Sequence, residues 1–92
     1  MNLLLWLGSF AGVYAQSAIQ GKVVDENKEE PLSGVTVALK GTTTGVITGT
    51  NGEFSLRPEE LPATLLVSFV GYRSQEIVVY DTSDPLVIAL GE

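Results

Sequence analysis

From Gln16 onward the apolar residues of this sequence recur at every second position, in short runs broken by glycine, proline and an Asn-Gly pair. A period of two sends successive side chains to opposite faces of a strand, whereas a surface helix needs apolar residues at i, i+3 and i+4, and helical runs of Ala, Leu, Glu and Lys with that spacing do not appear here. The first segment, Ala18 to Asp25, sets Ile19 and Val23 on one face and Gln20, Lys22 and Val24 on the other. After a charged loop, Glu26 to Ser33, the second segment runs from Gly34 to Lys40, with Val35, Val37 and Leu39 inward and Thr36, Ala38 and Lys40 toward solvent. The Gly41–Thr44 turn leads to a third segment, Gly45 to Thr50, carrying Val46, Ile47 and Thr48. Asn51-Gly52 tolerates the positive φ angles of a tight turn and predicts a hairpin between this segment and the next, where Phe54 and Leu56 alternate with Glu53, Ser55 and Arg57.

Pro58 to Pro62 then ends pairing, because proline supplies no amide donor. Thr64 to Val70 is apolar on both faces, which predicts a central strand covered from both sides. After a bend at Gly71, Tyr72 to Tyr80 sets Ile77 and Val79 against Glu76, Val78 and Tyr80. Pro85 to Leu90 sets Leu86, Ile88 and Leu90 against Val87 and Ala89. Strands recurring at intervals of about 8 to 12 residues predict an all-β fold, a seven-stranded antiparallel Greek-key sandwich.

The first fifteen residues stand apart. Met1 to Ala15 carries no charged side chain, has an apolar run from Leu3 to Leu7 that continues through Phe10, and ends with Val13 and Ala15 at the small-residue positions before a cut. It reads as a secretory signal peptide, too short for the span of about 20 apolar residues that crosses a bilayer. Removal leaves residues 16–92 as one exported domain, with all the charged residues and a formal charge of −6.

Without cysteine the domain has no disulfide, thiol nucleophile or lipid anchor, and without histidine it lacks the commonest general base and metal ligand. Five Lys and Arg against eleven Asp and Glu do not suit a phosphate backbone, so nucleic acid is excluded as a partner. Asp25, Asn27 and Glu29 place oxygen atoms at alternate positions, as the first half of a calcium loop does. Glu30 and Thr36 stand where such a loop needs glycine and a bidentate glutamate, so solvated loop charge is the simpler reading. The acid pairs Glu29/Glu30 and Glu59/Glu60 are adjacent in sequence and point apart, unlike the facing carboxylates of a glycosidase. The Gly41–Gly45 turn lacks the lysine and following helix of a phosphate loop. Phe69, Tyr72 and Tyr80 could line a carbohydrate platform, although aromatic residues more often fill a core.

Taken jointly, several short runs carry a resemblance. They are Gly21 to Asp25, Pro31 to Val37 with Gly34 and Val35, Lys40 to Thr42 with Gly41, Gly45 with Thr48, Gly52 to Leu56 with Phe54, and Leu65 with Ser68 to Tyr72, including Phe69 and Gly71. Together they resemble the carboxypeptidase-regulatory-like domain, the N-terminal extension of many TonB-dependent outer-membrane transporters of the starch-utilisation type. The likeness spans Ala18 to Leu90 and departs at Gly49, where the family commonly has Asp after the threonine. It implies a transthyretin-like or prealbumin-like sandwich in which Phe54 and Phe69 are candidates to meet in the core. It also implies a monomeric periplasmic accessory domain beside the plug and barrel of a transporter importing glycans, peptides or siderophores. No catalytic residue, cofactor or metal is carried over. The alternative reading is a free-standing secreted carbohydrate-binding or adhesin module that makes contact through Tyr72, Tyr80 or an acidic loop.

Overall fold

The computed structural model describes residues 18–92, so the expected signal peptide lies outside the described residues. Seven strands follow in order: β1 (Ile19–Asp25), β2 (Thr36–Leu39), β3 (Gly45–Ile47), β4 (Glu53–Leu56), β5 (Ala63–Ser68), β6 (Gln75–Val79) and β7 (Leu86–Leu90). They form two sheets, ordered β4-β1-β7 and β3-β2-β5-β6. Ile19, Val23, Phe54, Leu56, Ile88 and Leu90 from the first sheet close on Val37, Leu39, Leu65, Val67 and Val79 from the second and on Val35 just before β2, all buried. The inward faces are those the alternation predicts, because a strand covered on one side can bury only every second residue.

Three local expectations are corrected. β1 and β7 pair in parallel, Val23 beside Ile88, so one ladder departs from the antiparallel pattern of the rest. β5 is central, between β2 and β6, but only one of its faces is covered. Ala63, Leu65 and Val67 are buried, while Thr64, Leu66 and Ser68 on the other face are half-buried.

The third correction concerns Asn51-Gly52. A tight turn does form, with Gly52 N–H donating to the Gly49 carbonyl at 2.8 Å and Gly49 N–H to the Glu53 carbonyl at 3.0 Å. Among the described residues only glycines and Glu29 have positive φ, so Asn51 does not enter the left-handed region, and Gly52 alone does at +76°. The strands flanking the turn part at once. β3 pairs with β2, and β4 with β1. The cause lies on either side of the turn. Thr48 is held by Val35, its N–H reaching the Val35 carbonyl at 2.9 Å, whereas the Gly52 carbonyl accepts from Val23 N–H at 2.8 Å. Between Thr48 and Gly52 the chain therefore crosses from one layer to the other, and the hairpin ladder stops at its first rung.

Thr48 is the buried polar group at this crossing. Its hydroxyl donates to the Leu32 carbonyl at 2.7 Å and accepts from Val35 N–H at 2.9 Å. Thr48→Val keeps the shape and orphans both backbone groups, so it is expected to cost about 1–3 kcal/mol in urea denaturation. Thr48→Ser should recover most of that loss. A valine variant as stable as the parent would contradict the assignment.

Candidate functional site

The candidate site grows from the end of β1. Asp25 sits at the last position of that strand with only 5% of its surface exposed. The charged loop after it turns back on the strand, Asp25 N–H donating to the Glu30 carbonyl and Glu29 N–H to the Asp25 carbonyl, each at 2.8 Å. Pro31 then bridges to Val24. Inside this return the Asp25 carboxylate is fully engaged. Oδ1 accepts from the N–H groups of Asn27 at 2.8 Å and Lys28 at 2.9 Å, and Oδ2 from the Tyr72 hydroxyl at 2.6 Å.

Tyr72 reaches this carboxylate from the bend between β5 and β6. Its N–H donates to the Phe69 carbonyl at 3.1 Å, and its ring stacks on that of Phe69 with centroids 5.7 Å apart. Phe69 in turn lies beside Gly34, where an added Cβ would meet its ring at 3.6 Å. Gly34, Phe69, Tyr72 and Asp25 thus form one connected group, joining residues that are 47 apart in sequence at the polar end of the chain of contacts.

The electrostatics follow from the geometry. The Tyr72 hydroxyl, with the backbone N–H groups of Lys28 and Asn27, holds the Asp25 carboxyl below its ordinary range. Conversely, the hydrogen bond to Asp25, assisted by burial and by the negative charges of Asp25, Glu92 and Glu30, pushes Tyr72 from 10.0 to about 12. Opposite pH windows result. Because the Asp25 value is lower when folded, its contribution is present above the ordinary carboxyl range and is lost as pH falls through the lowered value. Because the Tyr72 value is raised, its contribution is intact below pH 10.0 and is lost between there and about 12. Urea midpoints should therefore fall more steeply across that alkaline window in the parent than in Tyr72→Phe. Parallel profiles would refute the coupling.

A second group surrounds Gly21, which pairs with Phe54 across β1 and β4. A Cβ on Gly21 would lie 2.7 Å from the Phe54 ring, so the ring occupies the space of the missing side chain. Phe54 is 6% exposed, whereas Phe69 is only half-buried at the end of β5, packed against the core from outside it. Gly52 is buried against the Val23 carbonyl, and Val35 is fully buried beside Thr48. Gly41 and Gly71 lie in open turns with no neighbour within 4 Å of an added Cβ.

The sites considered for other chemistry do not assemble. Asn27 and Glu29 are exposed while Asp25 turns inward onto its donors, and among the described residues no group of three or more acidic side chains is placed to hold a metal ion. In the Gly41–Thr44 turn the Thr42 hydroxyl donates to the Leu39 carbonyl and accepts from Thr44 N–H, closing its own loop. Tyr80 is 73% exposed, apart from the Phe69–Tyr72 stack. Among the described residues no helix is long and apolar enough to cross a membrane.

These features define a class: a two-sheet sandwich whose signature side chains hold loops to strands. The chain belongs to the CarboxypepD_reg-like domain family, whose profile matches residues 19–90. It is 38% identical over 79 residues to the TonB-dependent receptor SusC of Bacteroides thetaiotaomicron, covering 84% of this chain and 8% of that receptor. It is 33% identical over 79 residues to the TonB-dependent receptor P39 of Formosa agariphila, with the same coverage of 84% and 8%. The chain thus spans a small part of the length of these relatives. A chain in the crystal structure of a type II cohesin–X–dockerin complex from Acetivibrio cellulolyticus shares the fold, with a TM-score of 0.60 at 18% identity over 79% of this chain and 51% of that one.

Proposed function

We propose that this sandwich is a non-enzymatic accessory domain on the periplasmic side of the outer membrane, carried by a TonB-dependent transporter that imports a nutrient such as a glycan, peptide or siderophore. The observation that supports this most is the identity of 38% and 33% to two TonB-dependent receptors over a stretch that makes up 8% of each. The chemistry of the site agrees with it. The buried carboxylate of Asp25 is committed to Tyr72 and to two backbone amides, and the chain has neither histidine nor cysteine to work beside it. In this reading the signature residues fix the shape of a module, and the module acts through its surface.

The test has two parts. The messenger RNA read beyond the codon for Glu92 is expected to continue in frame into a plug and a barrel. In intact cells the domain should resist external protease, and it should become sensitive once the outer membrane is permeabilised. A stop codon with no transporter gene beside it, together with cleavage in intact cells, would overturn the proposal.

A further inference from the structure

The edges of the two sheets are not equally closed. On β7, Gln75 Nε2 donates to the Ala89 carbonyl at 2.7 Å, and just beyond the strand Arg73 N–H donates to the Gly91 carbonyl at 2.8 Å. β3 and β4 have three and four residues and meet across the Gly49–Gly52 turn. β6 is longer than β3 and β4 and equals β7 at five residues, and among the described residues it receives no backbone hydrogen bond on its outer side.

The neighbouring ladder shows which of its groups face outward. Lys40 N–H donates to the Thr64 carbonyl, so Thr64 and, by alternation, Leu66 and Ser68 turn their backbone groups toward β2. Ala63, Leu65 and Val67 turn theirs toward β6, onto Val79, Ile77 and Gln75. The amides and carbonyls of Glu76 and Val78 therefore point away from the sheet. Apolar surface accompanies them: Val78 is 49% exposed, Tyr80 is 73% exposed, and Ile77 is only part-buried where it flanks the core. A natural edge strand is usually blunted by lysine, proline or a bulge, and this one is not. Its own charge is Glu76, held by Lys40 in an exposed pair at 3.2 Å, and Asp81 and Asp84 follow the strand.

We propose that the β6 edge docks an extended segment of another polypeptide, one that alternates apolar residues with lysine or arginine and adds a strand beside Glu76 to Tyr80. Backbone groups of Glu76 and Val78 supply the ladder, an apolar residue covers Ile77, and the bases answer the acids flanking the strand. A second copy of this chain fits poorly, because it would bring two chains of formal charge −6 together.

The experiment titrates the ¹⁵N-labelled chain with a synthetic peptide of alternating valine and lysine, and separately with one of alternating valine and glutamate. The lysine peptide should shift the amides of Glu76 and Val78, slow their exchange, and bind less tightly as salt is raised, whereas the glutamate peptide should do none of these. Val78→Pro removes an outward N–H that the β5 ladder does not use, so the dispersed spectrum should persist while affinity falls about tenfold. Should that variant not fold, Glu76→Lys keeps the backbone and is expected to reverse the preference between the peptides. Equal binding of both peptides, shifts centred on β3, β4 or β7, no shift at millimolar peptide, or dimerisation of the chain alone through β6 would each overturn the proposal.

Discussion

Phe54→Ala is expected to lower stability by about 3–5 kcal/mol, which approaches the whole stability of a domain this small, about 5 kcal/mol. The reason is local. The Phe54 ring is 6% exposed and fills the place of a side chain at Gly21, its cross-strand partner, so truncation leaves a hole that neither strand can close. In far-ultraviolet circular dichroism the variant should show a largely unfolded chain at room temperature. Phe69→Ala removes a ring that is only half-buried, and its loss should be clearly smaller. Equal midpoints for the parent and Phe54→Ala would show that the core is placed wrongly.

Gly52→Ala is the second large effect, at about 3 kcal/mol, and it has two separable sources. At φ +76° any L side chain costs about 1–2 kcal/mol. The added Cβ would also lie 2.6 Å from the Val23 carbonyl oxygen and 3.2 Å from Leu32 N, both backbone atoms that cannot swing aside. Gly41 supplies the control. Its φ is +82° and an added Cβ there meets nothing within 4 Å, so Gly41→Ala should show the conformational cost alone. Identical losses in the two variants would mean that the close approach of Gly52 to β1 is not real.

The seven strands, their inward faces and most of the turns were legible in the sequence because they depend on neighbours. Alternation at Val35, Val37 and Leu39 and the breaks at Pro58 and Pro62 are local signals. Pairing partners are not local. Asn51-Gly52 looks the same whether its flanking strands continue as a hairpin or part into two sheets, and the outcome was decided by Val23 and Val35, distant residues that take the backbone groups on either side. The parallel ladder of β1 and β7 likewise joins the two ends of the domain. At the candidate site, Asp25 and Tyr72 were both visible as members of a resemblance, but their hydrogen bond spans 47 residues and no spacing announces it. Thr48 was visible as a strand residue and within the resemblance, but its burial was not, although a threonine that turns toward a core has to find partners for its hydroxyl.

Backbone and side-chain NOEs of the chain in solution bear most directly on whether this sandwich is assembled as described. Contacts between Val23 and Ile88 in parallel register are expected, with Tyr72 ring protons close to the Asp25–Lys28 turn. A continuous antiparallel ladder between β3 and β4, with Tyr72 remote from Asp25, would contradict the account.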